Sequence, residues 1–324
     1  MIIEEKQIIF TQPKDVNADL AARCGNRYVV VTDIAFNGGY LDPKLRLTEE
    51  EKAAELQRQF NTTTQAFLRA LDVRLLLYID HHDHNQWSLY ADDPRFLLVP
   101  RKDAPSCPPL ITPSVVAQLT DRPKVYVTHG DLDGIYSVVK LLNAGVGTYP
   151  EFDADATVAD SRIGKMSFIG QRYESALKAD LSDDTVRYAI VREMLSDQYD
   201  SASWRIEAQG IIEQACLKFG KVERETKRLT KLYQISGKVA WVDAGESTQK
   251  YDLTSLALNG QKIAQVSVIR NPENHQITIS GPAGWDFAKM FGLSGGMPNR
   301  INVPDQDITM IIETINNWTP PVEG

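Results

Sequence analysis

The sequence predicts an α/β fold in which a mostly parallel sheet carries helices on both faces, followed by a smaller α+β C-terminal domain. Three apolar runs of strand length, at residues 28–32, 73–79 and 124–128, predict the sheet. The run at 73–79 is apolar almost throughout, which suits a central strand covered on both faces. After residue 237 the pattern changes to short strands separated by turns, which predicts the second domain.

The first two runs enclose a helical segment and therefore predict a β-α-β unit. Thr48 and Glu51 have the spacing of a capping box, which marks the start of a helix. Apolar residues at helical spacing extend this helix through Leu71. Strands joined by such a crossover are parallel, so we expect Asp33 and Asp80, at the ends of the two strands, to lie at the same edge of the sheet.

Polar side chains with metal-binding chemistry follow each of the three runs. The second run ends in Asp80-His81-His82-Asp83-His84-Asn85, and the third leads into His129-Gly130-Asp131-Leu132-Asp133-Gly134. Three of the five histidines fall within residues 81–84, which favours a ligand set over a solvated loop. Open α/β sheets bind ligands at the carboxyl ends of their strands. We therefore expect one edge to gather Asp33, Asp80, His81, His129, Asp131 and Asp133.

The charge of this cluster indicates bound metal ions. Two carboxylates about 4 Å apart repel by roughly 4 kcal/mol at an effective dielectric constant near 20, a large share of a total stability of about 5–15 kcal/mol. Divalent cations turn this repulsion into attraction, and imidazole with carboxylate is the ligand set of Mn, Fe, Zn or Co. Such a set suits two ions about 3.5–4 Å apart, the arrangement that activates water against a phosphoryl centre.

Composition limits the classes of protein that the sequence can represent. The 324 residues predict about two domains, and 43% hydrophobic with 24% charged residues is typical of a globular protein. The N-terminus lacks a signal-peptide pattern, and no apolar run is long enough for a membrane span. Three distant cysteines indicate a reducing compartment, so we expect a cytoplasmic protein. The net charge of −8 argues against sequence-independent duplex binding, though not against a short oligonucleotide or a nucleotide.

The remaining chain gives weaker patterns. Residues 1–28 have no clear pattern, Ala156–Asp160 resembles a strand that ends in a carboxylate, and residues 170–233 are mostly helical. Strands are expected at 238–242, 263–269 and 276–280, and a helix at 285–291. We expect a metal-binding catalytic domain at 1–200, a helical connector at 201–236 and a substrate-binding domain at 237–324.

Several of these motifs resemble those of the DHH phosphoesterase superfamily. Asp80-His81-His82 with Asn85 resembles the family's signature, and residues 127–134 resemble its His-x-Asp-x-Asp-Gly motif. Asp33 at the end of a strand resembles a further motif, and residues 295–300 resemble the glycine-rich loop of the DHH-associated domain. In the family the His-x-Asp-x-Asp-Gly motif precedes Asp-His-His, whereas here it follows. A circular permutation explains this order, because a site depends on geometry and not on chain order.

The resemblance implies a role for each residue of the cluster. Asp33 would bridge two ions, one also held by His129 and Asp131 and the other by His81, Asp133 and Asp160. Asp80 would orient a neighbouring imidazole as well as bind metal, and His82 would act on the substrate phosphate as a donor or general acid. The implied ions are two Mn²⁺, with Mg²⁺ or Co²⁺ as alternatives. The implied substrate-binding residues are Gly295, Gly296, Asn299 and Arg300.

Three residues have readings that the resemblance does not fix. Asp160 would either hold an ion or lie at the surface. His84 lies outside the family's pattern, and we expect an exposed loop histidine there. Arg300 would either grip a substrate phosphate with its fork of donors or cap the glycine-rich loop.

By resemblance, the chain is expected to be a hydrolase of the DHH type, a nuclease or nucleotide phosphatase. It would hydrolyse phosphodiester or phosphomonoester bonds of nucleotides or short single-stranded oligonucleotides with a water molecule activated by two metal ions. One alternative is a hydrolase that resembles inorganic pyrophosphatases. Another is a non-catalytic protein that uses the fold to bind nucleic acid or a partner. No membrane association is expected. The sequence leaves open whether the protein forms a homodimer.

Overall fold

The computed structural model describes residues 7–37, 48–119, 124–161, 165–179, 183–197, 202–247, 249–282, 284–292, 299–305 and 307–318. The chain divides into two compact units, the first formed by the described residues up to Leu217 and the second by those from Lys218 onward. Each unit contains one five-stranded sheet.

The sheet of the first unit is entirely parallel. Its strands are β1 (Ile8–Thr11), β2 (Tyr28–Thr32), β3 (Leu75–Asp80), β4 (Phe96–Leu98) and β5 (Lys124–His129). Their order across the sheet is β1-β5-β2-β3-β4. The central strand β2 therefore lies between β5 and β3, and the carboxyl ends of these three strands meet at one edge.

Helices cover both faces of this sheet. Val29 and Val31 pack against one layer of helices, whereas Val30 packs on the opposite face, because side chains alternate along a strand. The predicted parallel sheet with helices on both faces is therefore confirmed. The helices are α1 (Ala18–Arg23), α2 (Glu49–Thr62), α3 (Thr64–Leu71), α4 (Pro113–Val116), α5 (Leu132–Leu142), α6 (Phe152–Ser161), α7 (Phe168–Ala179), α8 (Asp184–Leu195) and α9 (Ala202–Thr230), which continues into the second unit.

The second unit contains a mixed sheet between two helical layers. Its strands are β6 (Gln234–Ser236), β7 (Val239–Asp243), β8 (Val266–Asn271), β9 (Gln276–Ser280) and β10 (Arg300–Pro304). Only β7 and β8 pair in parallel among the described strands of this sheet. The helices are α10 (Leu253–Ile263), α11 (Phe287–Met290) and α12 (Ile308–Asn317). This arrangement confirms the smaller α+β domain, while the roles given to the three sequence segments stay predictions.

The strand predicted at Ala156–Asp160 is wrong, because this segment lies within helix α6. Phe152, Ala156 and Ala159 are spaced by four and three residues, and all three are buried. That spacing is helical, but it is visible only when the segment is read from Phe152.

Other elements differ from the sequence prediction in their bounds. The helix predicted through Leu71 is interrupted at Thr63, where the backbone leaves helical geometry, so that α2 and α3 are separate. The strand expected from Ile263 begins at Val266, since Ile263 ends α10. The helix expected at 285–291 is limited to Phe287–Met290. Residues 1–28, which had no clear pattern, contain β1 and α1.

No helix in the described part of the chain combines the length and the apolar character that a bilayer span needs.

Buried aromatic side chains support the chain just beyond β2. Tyr78 on β3 is fully buried, and its hydroxyl donates a hydrogen bond to the carbonyl oxygen of Ile34 at 2.8 Å. The ring of Phe36 packs edge-on against Tyr78, with centroids 5.2 Å apart. The turn that follows the central strand is therefore held by the neighbouring strand.

We expect Tyr78→Phe to lower the free energy of unfolding by about 1–3 kcal/mol, because the buried Ile34 carbonyl loses its donor while the ring packing is kept. Urea unfolding followed by fluorescence measures the change. Tyr90→Phe is a matched control, since Tyr90 belongs to the same aromatic cluster. Equal stability of Tyr78→Phe and the wild type would contradict this account.

Candidate metal centre

Asp33 leaves the central strand in a left-handed backbone conformation, with φ of 55°. Aspartate tolerates this region better than most residues, since its short side chain can bond locally. Its backbone N–H still donates to the Ile79 carbonyl at 2.9 Å, which continues the pairing between β2 and β3. The chain turns directly after this bond, and the Asp33 carboxylate is buried.

Asp80 and His82 form a hydrogen-bonded pair at the end of β3. His82 Nδ1 lies 2.8 Å from Asp80 Oδ1, and the Asp80 side chain is fully buried while that of His82 is 30% exposed. A ring nitrogen bonded to a buried carboxylate fixes the orientation of the imidazole. Nε2 is therefore the His82 nitrogen that can interact with a ligand.

His81 is fully buried and has its tautomer fixed by the backbone. Its Nδ1 lies 3.1 Å from the carbonyl oxygen of Ala104, which can only accept a hydrogen bond. In the neutral ring Nδ1 therefore carries the hydrogen, and Nε2 presents a lone pair. Nε2 faces three carboxylates, at 3.3 Å from Asp33 Oδ1, 3.4 Å from Asp133 Oδ2 and 3.9 Å from Asp160 Oδ2.

The turn from β5 into α5 supplies the other ligand residues. His129 ends β5, and its Nδ1 lies 2.8 Å from Asp131 Oδ2. Asp131 caps α5 by accepting a hydrogen bond from the Gly134 N–H at 3.1 Å. A Cβ atom at Gly134 would collide with the carbonyl oxygen of His129, so this close turn requires glycine. Asp133 is buried in the first turn of α5.

Asp160 reaches the site from a helix rather than from a strand tip. It lies in the last turn of α6, where the helix dipole disfavours a negative charge. Its carboxylate accepts a hydrogen bond from Arg101 at 2.5 Å. A cation in the site is therefore favourable for Asp160 as well.

Two arginines contact the site from outside the predicted residues. Besides the bond from Arg101, Arg187 Nε donates to the carbonyl oxygen of Gly130 at 2.8 Å. A Cβ atom at position 130 would collide with the Arg187 guanidinium, so the glycine between His129 and Asp131 permits this contact. Arg187 thus supports the β5–α5 turn.

The residues fit a divalent metal ion. Buried atoms that have no hydrogen-bond partner among the described residues include Asp33 Oδ1, His81 Nε2 and Asp133 Oδ1. A lone pair that faces carboxylate oxygens is repelled unless a cation lies between them. Three groups place their ligand atoms within 4.8 Å of one another: Asp33 with His81 and His82, Asp33 with His129 and Asp131, and His81 with Asp133 and Asp160. These nitrogen and oxygen donors can bind a metal ion.

Burial and mutual repulsion keep protons on this cluster when no metal is bound. Burial, with the charges of Asp133, Asp131 and other aspartates, raises the pKa of Asp33 well above its usual value. Burial raises the pKa of Asp133 from 3.8 to about 6, although His81 acts to lower it. Burial acts to lower the pKa of His81, but the adjacent Asp133 carboxylate outweighs burial and raises this pKa.

The structure brings together all the residues predicted for the metal site. The substrate-binding residues lie in the second unit or outside the described residues, and their role stays a prediction. Asn299 donates a side-chain hydrogen bond to the Gly281 carbonyl at 3.2 Å, and Arg300 Nη2 lies 3.4 Å from Thr254 Oγ1. Gly295 and Gly296 lie outside the described residues. The gathered residues are Asp33, Asp80, His81, His82, His129, Asp131, Asp133 and Asp160.

The expectation of an exposed loop histidine at position 84 is wrong. The His84 ring is partly buried beside Phe36 and Phe60, with centroids 5.7 and 5.8 Å away. Its Nδ1 accepts a hydrogen bond from the Gln86 N–H at 3.1 Å. His84 therefore packs with the aromatic cluster, because the loop folds back over that cluster.

The sequence reasoning missed the supports of the site. The Cys107 N–H donates to Asp133 Oδ2 at 3.3 Å, and the Ala104 carbonyl orients His81. Both are backbone groups in a stretch rich in proline, aspartate and serine, so no side-chain pattern identifies them. The glycine between His129 and Asp131 was the one available signal for the Arg187 contact.

Comparison with known proteins gives little to add to this geometry. No family model matches the sequence, and no curated protein matches it. Among solved structures, a pGpG-specific phosphodiesterase, PggH from Vibrio cholerae, is 10% identical with a TM-score of 0.32, over 77% of this chain and 92% of that one. A likeness this low assigns no activity to the chain, so its chemistry is argued from its own residues.

We expect the chelator-treated protein to melt at a lower temperature at about pH 7.5 than at about pH 5. The folded state holds protons on Asp133 (between pH 3.8 and about 6) and on Asp33 (above pH 3.8) that the unfolded chain has released. It also holds one on His81 above pH 6.5, where an unfolded histidine has released its proton. These groups therefore make stability fall as the pH rises through this window. Thermal melting in EDTA at both pH values measures the effect.

Asp133→Asn should reduce this pH dependence, because the amide cannot ionise. Asp92→Asn, at an exposed aspartate, is the control. An unaltered pH dependence in Asp133→Asn would show that the buried carboxylate does not control it.

Proposed function

We propose that the chain is a metal-dependent phosphoesterase that hydrolyses phosphodiester or phosphomonoester bonds of nucleotides or short oligonucleotides. The observation that carries the proposal is the buried lone pair of His81 Nε2, which faces carboxylate oxygens of Asp33, Asp133 and Asp160. Asp33 belongs to two ligand groups, one with His81 and His82 and the other with His129 and Asp131. Two adjacent ligand groups with one shared carboxylate are typical of a two-metal site.

The proposed ligands divide between two ions. His129, Asp131 and Asp33 would hold one, and Asp33, His81, Asp133 and Asp160 the other, with Asp33 bridging. The mixed nitrogen and oxygen donors suit Mn, Fe, Zn or Co, and the resemblance to the DHH phosphoesterases implies Mn²⁺, with Mg²⁺ or Co²⁺ as alternatives. When bound, such ions neutralise charge on phosphoryl oxygens and lower the pKa of water.

His82 and Asp80 would handle the proton of the leaving group. The bond from His82 Nδ1 to Asp80 leaves Nε2 as the nitrogen that can exchange a proton with substrate. A partly exposed imidazole on a fully buried carboxylate suits a positioned general acid. His82 also lies in a ligand group with Asp33 and His81. Metal analysis of a His82 variant therefore separates the role of a metal ligand from that of a general acid.

The resemblance to the DHH phosphoesterases supports the same function. The motif around His129 and the Asp80-His81-His82 motif, far apart in the chain, follow strands on either side of the central strand. The permuted order therefore does not prevent a shared site. We further propose that Asn299 and Arg300, with Gly295 and Gly296, bind substrate, and that the protein acts in the cytoplasm.

The non-catalytic alternative is less well supported. A protein that only binds a partner has no need for metal ligands, whereas the complete set is present here. No observation in the described residues favours a pyrophosphatase, so a substrate assay is left to decide it.

The direct test is hydrolysis by the purified full chain with Mn²⁺. We expect Mn²⁺-dependent cleavage of at least one substrate in a panel of dinucleotides, pAp, cyclic dinucleotides and short single-stranded DNA, with pyrophosphate as the contrasting substrate. EDTA should abolish the activity. Protein that binds Mn²⁺ and cleaves none of these compounds would contradict the proposal and favour a binding role.

The variants Asp33→Asn and His82→Ala should have different effects, because Asp33 is the proposed bridging ligand and His82 the proposed general acid. Asparagine tolerates the left-handed conformation at φ 55° but removes the charge shared by both ligand groups. Bound metal should fall from about two ions per chain toward one or none, with activity reduced by several orders of magnitude. Metal analysis by mass spectrometry, with melting curves with and without Mn²⁺, measures this.

His82→Ala is the matched comparison, because it should keep both ions and lose only rate. At a pH above the raised pKa of Asp33, the metal-free Asp33→Asn protein should melt higher than the metal-free wild type, since one repelling charge is gone. Full metal occupancy in Asp33→Asn would show that another residue bridges the ions.

A further inference from the structure

The segment from Val99 to Cys107 contacts all three members of the ligand group His81, Asp133 and Asp160. The Ala104 carbonyl faces His81 Nδ1, the Cys107 N–H donates to Asp133, and the Arg101 guanidinium donates to Asp160. The first two contacts come from buried residues through the backbone, whereas the third comes from an exposed residue through a side chain. The Arg101 contact is thus the one that can change without moving the backbone.

The backbone position of Arg101 is fixed close to the site. The Val99 N–H donates to the Asp80 carbonyl at 3.0 Å, and the Arg101 N–H donates to Asp83 Oδ2 at 3.3 Å. The start of the segment is therefore attached to the end of β3, next to the proposed metal ligands. The Arg101 side chain can therefore change its hydrogen-bond partner while Arg101 stays within reach of the site.

The Arg101 side chain is held by a single partner. It is 43% exposed, and Asp160 is its one side-chain partner among the described residues. A guanidinium has five donors in a planar fork, so one such bond leaves most of them for a ligand. Arg187 differs, because its guanidinium bonds Gly130 and Asp184 and also lies over the Phe10 ring.

Asp160 lies between the Arg101 guanidinium and the proposed metal site. Its Oδ2 atom accepts the bond from Arg101, and the same atom lies 3.9 Å from His81 Nε2, within the proposed ligand group. A divalent ion held by His81, Asp133 and Asp160 would compete with Arg101 for this oxygen. Metal binding would then release donors of Arg101 at the edge of the site.

The charge of the site calls for such a cation. Five aspartates lie in the site, at positions 33, 80, 131, 133 and 160, and two divalent ions with a protonated His82 would bring five positive charges. A phosphate anion would therefore approach a site with no net positive charge, in a chain of net charge −8. One further positive group beside the ions would attract it. Arginine suits the task because its fork matches phosphate oxygens.

We propose that Arg101 binds the phosphate group of the substrate, after the metal has taken over Asp160. This inference rests on the proposed phosphoesterase function and adds a substrate-binding residue to it. The group recognised is a phosphomonoester or phosphodiester, through its non-bridging oxygens. Free inorganic phosphate has the same oxygens and can serve as a probe without turnover.

The test compares the wild-type full chain with Arg101→Ala, Arg101→Lys and the control Lys102→Ala, a neighbouring exposed cation. Calorimetric titration first measures Mn²⁺ affinity without phosphate, and then the affinity of the Mn²⁺-loaded protein for inorganic phosphate. Arg101→Ala should bind Mn²⁺ as tightly as the wild type or a few-fold more tightly, because a competitor for Asp160 is gone. Its phosphate affinity should fall by about 10- to 100-fold.

Arg101→Lys should recover part of the phosphate affinity, since lysine supplies the charge without the fork. Lys102→Ala should leave both affinities unchanged. With a substrate that the wild type hydrolyses, Arg101→Ala should raise KM by a larger factor than it lowers kcat. Circular dichroism checks that the variants remain folded.

Two outcomes would overturn the assignment of Arg101 alone. Weaker Mn²⁺ binding with unchanged phosphate affinity would mean that Arg101 only holds Asp160 in place. Unchanged affinities for both would mean that Arg101 has no part in the site. Failure of the proposed function would give a different result: the wild-type protein would bind Mn²⁺ but hydrolyse no substrate. In that case, a loss of phosphate affinity in Arg101→Ala would still support an anion-binding site at Arg101. Wild-type protein that binds no Mn²⁺ would overturn both proposals.

Discussion

The structure of the first unit depends on burying several carboxylates and an imidazole around one point, where the carboxylates repel one another unless a cation or protons balance their charge. His81 Nε2 faces Asp33, Asp133 and Asp160 within 3.9 Å. Burial and the neighbouring carboxylates raise the pKa values of Asp33 and Asp133. A fold gains nothing from such repulsion by itself. The backbone contacts from Ala104 and Cys107 hold the groups in place, which is the expected arrangement for a preformed cation site.

Spatial order in the sheet explains how distant motifs share this site. Strand β5 comes last of the five in the chain, yet it pairs with β2 on one side and β1 on the other. The motif that follows it therefore stands beside Asp33 and next but one to Asp80. A parallel sheet brings every strand end of one sense to the same edge, so the order of the motifs along the chain can change without moving the site.

The strand ends were predictable from sequence, whereas their supports were not. Each predicted ligand except Asp160 follows an apolar run, and a strand that ends in a ligand specifies both its element and its edge. Asp160 was selected for a strand that is a helix, since five residues were too short a window to show the helical period. The Ala104 and Cys107 contacts use backbone groups, which any residue type supplies. The left-handed turn at Asp33 and the pairing of Arg101 with Asp160 depend on tertiary contacts that no local pattern encodes.

The acceptor that fixes the His81 tautomer is a main-chain oxygen, and this affects how the protein can vary. A side-chain acceptor could be lost in one codon change, but substitutions in the loop around Ala104 leave its carbonyl in the chain. Drift in loop composition is therefore tolerated as long as the path of the loop is kept. An insertion or deletion between Val99 and Cys107 would move the carbonyl away from the ring, so the length of this loop is under stronger constraint than its residue types.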